Sequence, residues 1–151
     1  MIVALDASPL SLLTQRRGVS AADECRDWAD AMGRAGHSIV VPAIADYETR
    51  RELLRAKKLP SVARLDAIRA NPQVIYLPIT DNALLRAATL WAEVRAKGLP
   101  TAAPAELDCD VVLVAILLCS TLPIDQIVVA TTNPAHLSRF LPARSWQSIL
   151  P

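Results

Sequence analysis

The sequence has few aromatic residues, few cysteines and no metal-binding cysteine pattern. One Phe, two Tyr and three Trp cannot fill the core of a 151-residue chain, so the core must be aliphatic, which favours α/β packing. The three cysteines, Cys25, Cys109 and Cys119, lack the close paired spacing of a zinc or redox motif. We therefore expect reduced thiols and a cytoplasmic protein.

An excess of one charge and a long apolar run are also missing. Sixteen Lys and Arg against fifteen Asp and Glu give a net charge of +1, so any nucleic-acid or membrane binding must come from a local patch. The longest apolar run, Val111 to Cys119, is too short for a bilayer, which takes about 20 residues. The start "MIVALDAS" has no basic leader, so we expect neither a signal peptide nor a membrane helix.

Short runs of β-forming residues alternate with helical patterns along the chain. The predicted strands are "MIVAL", "HSIVVP", "QVIYLP", "DQIVVATTN" and, at an edge, "SWQSIL". Ser20 is a candidate helix cap, and Leu59-Pro60 is predicted to end a helix that begins at Ala43. Strands separated by one or two helices imply right-handed crossovers. We predict one domain over residues 1–151, with an α/β fold and a mostly parallel sheet of four or five strands.

Four oxygen-bearing side chains fall where these strands end or where helices begin. They are Asp6 after the first strand, Glu48 early in the helix after the second, Asp110 before the fourth and Asn133 after it. Binding sites of parallel sheets form beyond the carboxyl ends of the strands. Gathered carboxylates repel one another, and Mg²⁺ or Mn²⁺ relieves the repulsion by taking oxygen ligands. This pattern predicts a metal site suited to phosphodiester hydrolysis by a metal-activated water.

The segment "AELDCDVVLVAILL" places two further acids beside Asp110. Residues two apart on a helix point about 200° from one another, so Asp108 and Asp110 cannot be equivalent ligands if both are helical. Asp108 therefore either caps the helix or turns inward as an auxiliary metal ligand. Glu106 is interpreted as an ordinary helix-start acid. Between two acids, Cys109 is predicted to be a poor thiolate.

The order and spacing of four segments resemble a PIN-domain ribonuclease, particularly the VapC-type toxins of bacterial toxin–antitoxin pairs. The segments, which cover nearly the whole chain, are "IVALDAS", "VPAIADYETRREL", "LDCDVVLVAILL" and "IVVATTNPAHLSRF". The resemblance implies a three-layer α/β/α PIN-like fold and a Mg²⁺- or Mn²⁺-dependent endoribonuclease. It also implies a homodimer, and inhibition by a small antitoxin protein whose tail blocks the acidic residues.

Carried over by position, the resemblance makes Asp6, Glu48 and Asp110 metal ligands and Asn133 the polar residue after the last strand. Many family members have an Asp three residues after that Asn, where this chain has His136. The resemblance therefore leaves open whether the site binds one metal ion or two, and whether Asp108 replaces the missing acid. Nothing in the sequence around His136 predicts a catalytic base.

The segment "RRELLRAKK" is the densest basic stretch and has two interpretations. Arg50, Arg51 and Arg55 either form a solvated helix face or bind RNA phosphates beside the metal, in which case binding weakens steeply with salt. We predict a cytoplasmic endoribonuclease acting on an RNA substrate without a covalent nucleophile. The alternative is an inactive PIN-like module that binds RNA or a partner protein. A response-regulator receiver is disfavoured, because no Lys follows "IVVATTN".

Overall fold

The computed structural model describes residues 1–103 and 107–151, and its strands and helices alternate as predicted. The strands are β1 (Ile2–Leu5), β2 (Ser38–Pro42), β3 (Val74–Leu77), β4 (Ile127–Thr131) and β5 (Ala143–Ser145). The α-helices are α1 (Ala7–Leu13), α2 (Ser20–Arg34), α3 (Ala43–Arg55), α4 (Leu59–Ala70), α5 (Asp81–Ala96), α6 (Cys109–Leu118) and α7 (Pro134–Leu137). Glu106 and its predicted role lie outside the described residues.

The five strands form one all-parallel sheet in the order β3-β2-β1-β4-β5. The chain steps from β1 to β3 in one direction and then crosses back to β4. Right-handed connections therefore place α1 to α4 on one face and α5 to α7 on the other. The predicted α/β class and parallel sheet are confirmed, and the ends of β1 and β4 lie side by side at the carboxyl edge.

The core is aliphatic, as the shortage of aromatic residues predicted. All residues of β1 are buried, and so is every residue of α6 from Val111 to Leu117. Burying a Val, Leu or Ile side chain completely contributes roughly 1.5–3 kcal/mol to the stability of the fold. Two of the few aromatic residues also pack inside: the rings of Trp28 and Trp146 lie 5.6 Å apart. The carboxyl edge of the sheet is therefore supported by a tightly packed core.

Two predicted details of the helices are wrong. Val19, not Ser20, is the N-cap of α2, and it makes no side-chain cap hydrogen bond. Asp23 instead reaches back to accept from the Gly18 N–H at 2.7 Å. Pro60 does not end α3 but lies in the first turn of α4, where a missing N–H costs nothing.

The predicted fifth strand is displaced along the chain. "SWQSIL" shares only Ser145 with β5, because residues Trp146–Ser148 form a 3₁₀ turn. Trp146 is 4% exposed and packs on Trp28, so burying its ring turns the chain off the sheet edge. The edge position of the fifth strand is confirmed. Within residues 1–103 and 107–151, every helix is too short or too polar to cross a membrane.

Candidate active site

Asp6 lies at the end of β1 with both carboxylate oxygens held by hydrogen bonds. Its Oδ1 accepts from the Ala7 N–H at 2.7 Å, so it caps α1. Its Oδ2 accepts from the Thr131 hydroxyl at 2.7 Å and from the Ser8 hydroxyl at 3.5 Å. Its backbone N–H donates to Ala130 O of β4 at 3.0 Å. The carboxylate is therefore oriented by the protein itself.

Thr131 is a site residue that sequence reasoning missed. This last residue of β4 is 1% exposed, and its Oγ1 both donates to Asp6 and accepts from the Asn133 N–H at 3.0 Å. Threonine is ordinary in a strand, and its partner lies 125 residues away in the chain. The one signal that could have found it is a hydroxyl residue directly after four buried apolar residues.

Glu48 reaches the carboxyl edge from α3, which is fastened to α1. Buried Thr49 donates its hydroxyl to Ala7 O at 3.4 Å, and α3 packs against α1 and α6. The Glu48 side chain is 24% exposed, and its Oε1 lies 3.9 Å from Arg51 Nη2. Glu48 therefore lies on a helix that packs against both α1, which Asp6 caps, and α6, which carries Asp110.

Asp108 and Asp110, at the start of α6, have different surroundings. Asp108 is 6% exposed and is the N-cap: its Oδ1 accepts from the Val111 N–H at 3.3 Å, and its Oδ2 accepts from the Thr101 hydroxyl. The Asp110 side chain is 28% exposed, and one of its oxygens lies 3.3 Å from His136 Nδ1. Of the two assignments left open for Asp108, the structure supplies the contacts of the cap.

Burial and mutual repulsion raise the pKa of two of these carboxyl groups. Burial raises the pKa of Glu48 most, and the charges of Asp6 and Asp110 raise it further. Burial is also the main reason for the raised pKa of Asp110, followed by the charge of Asp6, while His136 opposes the shift. These carboxylates are close enough for the charge of one to raise the pKa of another. We call the group of Asp6, Glu48 and Asp110 the acidic site.

Cys109 borders the acidic site as a protonated thiol. Burial, and then the charge of Glu48, raise the pKa of Cys109 to about 12. A hydrogen bond with Glu48 adds to that shift. The predicted poor thiolate agrees with this environment, and the thiol is not a nucleophile at neutral pH.

Asn133 and His136 follow β4 at the same edge. Asn133 is exposed and is the N-cap of α7, although its side chain makes no cap hydrogen bond. His136, for which the local sequence predicted no role, approaches Asp110 through Nδ1. Sequence reasoning missed this contact because it joins two helices from different parts of the chain.

The three arginines predicted to bind RNA have unequal surroundings. Arg50 donates to both oxygens of Asp46, at 2.8 and 3.2 Å, and pairs with Asp66 at 2.8 Å. These contacts, led by the hydrogen bond to Asp46, raise the pKa of Arg50 and give this half-buried side chain a structural role between α3 and α4. Its guanidinium is thus already paired with two carboxylates.

Arg51 and Arg55 are exposed, but only Arg51 adjoins the acidic site. Arg51 lies near Glu48 and stacks over the Tyr47 ring at 5.4 Å from the ring centre. Arg55 is farther along α3 and pairs with Glu52 at 2.8 Å. Arg51 is therefore the arginine of this group best situated to meet a phosphate beside the acids.

The donor set of the acidic site fits a hard divalent cation. Three carboxylates from β1, α3 and α6 meet at one edge, and a cation would reverse the repulsion that raises the pKa of Glu48 and Asp110. Within residues 1–103 and 107–151, no three His, Cys, Asp or Glu side chains already form a metal-binding group. Binding one ion through all three acids would therefore require side-chain movement.

A groove of about 740 Å³ is lined by residues other than these acids. Its lining includes His37, Ser38, Gln73 and Val74, around the starts of β2 and β3, and none of the three acids. The acidic site is therefore not part of that groove.

Three solved structures share this fold. VapBC2 from Rickettsia felis, bound to a DNA fragment from its promoter, contains a chain that matches with a TM-score of 0.70 and 15% identity, covering 97% of this chain and 99% of that one. A VapBC-1 chain from nontypeable Haemophilus influenzae matches with a TM-score of 0.62 and 16% identity, covering 98% and 100%. A chain of DNA-bound VapBC from Salmonella typhimurium matches with a TM-score of 0.59 and 15% identity, covering 97% and 98%.

These matches confirm the three-layer PIN-like fold that the sequence resemblance implied. They extend over nearly the full length of both partners in each comparison. No family model and no curated protein matches the sequence. At such low identity the comparisons establish the fold, and the chemistry must be argued from the residues of the site.

Proposed function

We propose that this protein is a divalent-metal-dependent endoribonuclease of the VapC toxin type. The observation that carries the proposal is the acidic site. Its carboxylates come from three separate elements and meet at the carboxyl edge of a parallel sheet, and two have a raised pKa. The fold supports the proposal, because ligands of parallel α/β sheets bind at this edge.

Asp6, Glu48 and Asp110 would hold Mg²⁺ or Mn²⁺. When bound, such an ion polarises the scissile phosphate and lowers the pKa of a water molecule. Thr131 keeps Asp6 oriented through the 2.7 Å hydrogen bond. Asn133 stands at the rim, where its amide can orient substrate, and Cys109 stays protonated beside Glu48. No side chain is required as a covalent nucleophile.

Asp108 serves as the helix cap in this proposal. Both of its oxygens accept hydrogen bonds inside the protein, one from Val111 and one from Thr101. Using it as a ligand would break the cap and leave the buried Val111 N–H and the part-buried Thr101 hydroxyl without their partner. The Asp110 side chain, two residues later, is 28% exposed and is close enough to Asp6 for that charge to raise its pKa.

Substrate contact is proposed to involve Arg51 rather than Arg50. Arg51 is exposed and adjoins Glu48, so a phosphate near the acids would lie within its reach. Arg50 would have to release two carboxylates, one of them on a residue that is 3% exposed, before it could bind RNA. Arg55 is a more distant, secondary contact.

The partner is proposed to be a small antitoxin protein, and the assembly a homodimer in the cytoplasm. The support is the sequence resemblance together with the fold match to chains of VapBC complexes. A positively charged segment of an antitoxin would complement the acidic site. Co-expression with the product of the adjacent reading frame, followed by size-exclusion chromatography, tests both statements.

The deciding experiment is RNA cleavage with Mg²⁺ or Mn²⁺ by the parent and by Asp6→Asn, Asp110→Asn and Asp27→Asn. Asp27 is an exposed acid of α2 and serves as the matched control. We expect cleavage by the parent and by Asp27→Asn, and loss in the other two variants. Equal cleavage by all four would exclude the acidic site.

The alternative function is an RNA- or protein-binding module without catalysis. The observation that favours it is His136, which stands where many PIN-type relatives have a further acid and lies 3.3 Å from Asp110. Absence of cleavage across metals and RNAs, with RNA binding retained, would select this alternative.

A further inference from the structure

His136 is placed by a short segment that the rest of the fold pins down. His136 belongs to the four-residue helix α7. The residue after it, Leu137, is the last residue of that helix, is 1% exposed and packs in the core. Helix α7 also packs against α6, at whose start Asp110 lies. The imidazole is thus carried to the acidic site by the backbone, with its side chain 35% exposed.

The distance between His136 and Asp110 is compatible with two roles. His136 Nδ1 lies 3.3 Å from Asp110 Oδ2, which is the length of a weak hydrogen bond. Two neighbouring ligands of one ion, each about 2.1 Å from it and at right angles, also stand about 3 Å apart. The contact therefore holds His136 Nδ1 at a distance from which it and Asp110 Oδ2 could bind the same metal ion.

We propose that His136 supplies a nitrogen ligand to the ion of the acidic site and thereby makes the site favour Mn²⁺ over Mg²⁺. This inference rests on the metal site of the proposed function. An imidazole nitrogen suits transition metals, whereas Mg²⁺ strongly prefers oxygen. Replacing His136 by Asp would restore an all-oxygen donor set.

The competing explanation is that His136 only orients Asp110 by donating a hydrogen bond. Both explanations allow metal affinity to fall when His136 is removed, because residues that orient ligands also affect affinity. They differ in whether a nitrogen nucleus couples directly to the bound ion. They also differ in whether the loss is specific to Mn²⁺.

The chain suits a spectroscopic test because it has two histidines. The second, His37, precedes β2 at the opposite edge of the sheet and is the matched control. Pulsed electron paramagnetic resonance of the Mn²⁺ complex, without RNA, should show ¹⁴N coupling in the parent and in His37→Ala. The coupling should be absent in His136→Ala and His136→Asp.

Calorimetric titration of the same proteins gives a second readout. We expect the ratio of the Mg²⁺ to the Mn²⁺ dissociation constant to fall about tenfold in His136→Ala. In His136→Asp the ratio should fall further, because Mg²⁺ affinity is regained. Circular dichroism in EDTA checks that each variant is folded.

A parent complex without ¹⁴N coupling, or an unchanged ratio in His136→Ala, would overturn the role of His136. The metal site itself is tested separately by Asp6→Asn. If that variant binds Mn²⁺ as tightly as the parent does, the proposed metal site fails. If it loses Mn²⁺ while His136→Ala keeps the parent ratio, only the present inference fails.

Discussion

Two of the acids on helix α3, Asp46 and Glu48, have different surroundings. Asp46 is buried and receives two hydrogen bonds from Arg50, which also pairs with Asp66 at 2.8 Å. Glu48 faces other acids, and its nearest cation, Arg51, is 3.9 Å away. We call the group of Asp46, Arg50 and Asp66 the paired cluster.

The difference separates structural from functional charge. In the paired cluster each carboxylate has a guanidinium partner, so the charges tie α3 to α4 and need no further ligand. In the acidic site the charged partners are weaker, because Glu48 lies 3.9 Å from Arg51 and Asp110 lies 3.3 Å from the His136 imidazole. Groups whose pKa is perturbed by burial and by neighbouring like charge, as those of Glu48 and Asp110 are, are candidates for ligand binding. The predictions below test this division, from the largest expected effect to the smallest.

Neutralising the acidic site should abolish cleavage without unfolding the protein. We expect Asp110→Asn to lower the cleavage rate at least about a hundredfold, because removing a metal ligand removes several kcal/mol of transition-state stabilisation. Unfolding followed by circular dichroism should show no loss of stability. A variant that loses activity only through unfolding would contradict the division.

Breaking the paired cluster should have the opposite effect. We expect Asp46→Ala to lower the free energy of unfolding by about 2–3 kcal/mol, because it leaves the Arg50 charge with one partner. Asp66→Ala should cost less, since the Asp66 side chain is 59% exposed. Urea unfolding measures both values. Cleavage per folded molecule should stay near the parent rate.

Loosening Asp6 should produce an intermediate effect on activity. Thr131→Val removes the hydroxyl that donates to Asp6, and we expect a rate about tenfold lower, typical of losing a residue that orients a ligand. Thr131→Ser should restore the rate, because it restores the donor. Equal rates in Thr131→Val and the parent would remove Thr131 from the site.

Among the arginines, the effect should depend on distance from the acidic site. Arg51→Ala should reduce the salt slope of RNA binding by about 0.7, the value for one phosphate contact on a single strand. Arg55→Ala should change it less, because Arg55 pairs with Glu52 farther along α3. Fluorescence anisotropy over a salt series compares the two. A larger change for Arg55→Ala would place RNA elsewhere.

The smallest effect concerns stability and pH. Because the folded pKa of Glu48 is raised, its stabilising contribution is present at low pH and is lost as pH rises above about 4.5. In the absence of metal, Glu48→Gln should therefore match the parent at pH 4 and have a Tm a few degrees higher at pH 7. Glu52→Gln, on the exposed surface, is the control. A higher Tm at pH 7 for the parent than for Glu48→Gln would contradict this prediction.

Local patterns predicted most of the fold, and the end of the fifth strand was misplaced because distant residues decide it. The strand runs and the parallel order follow from periodicity and crossover rules, whereas the end of β5 depends on Trp146 meeting Trp28. The capping of α2 differed for a local reason, because Asp23 and not Ser20 accepts a hydrogen bond from the Gly18 N–H. The contact between Trp146 and Trp28 leaves no clear mark in the neighbouring sequence.

The candidate site shows the same limit. Asp6, Glu48 and Asp110 could be found because strand ends and helix starts are visible in sequence. The hydrogen bond from Thr131 to Asp6 and the contact of His136 with Asp110 were not predicted, because each joins residues far apart in the chain. The predicted role of Arg50 could not anticipate Asp66, which lies on another helix.

By itself, the sequence determined an aliphatic α/β chain with acids at the carboxyl edge of a parallel sheet, because hydrophobic periodicity and helix signals act between near neighbours. Only the tertiary structure decided which charges are paired. In the folded chain Asp108 caps α6, whereas Asp110 lies near the other acids and contacts His136. Arg50 pairs with Asp46. Electrostatic and hydrogen-bond energies depend on distance through space, and that distance exists only once the sheet has brought separate segments together.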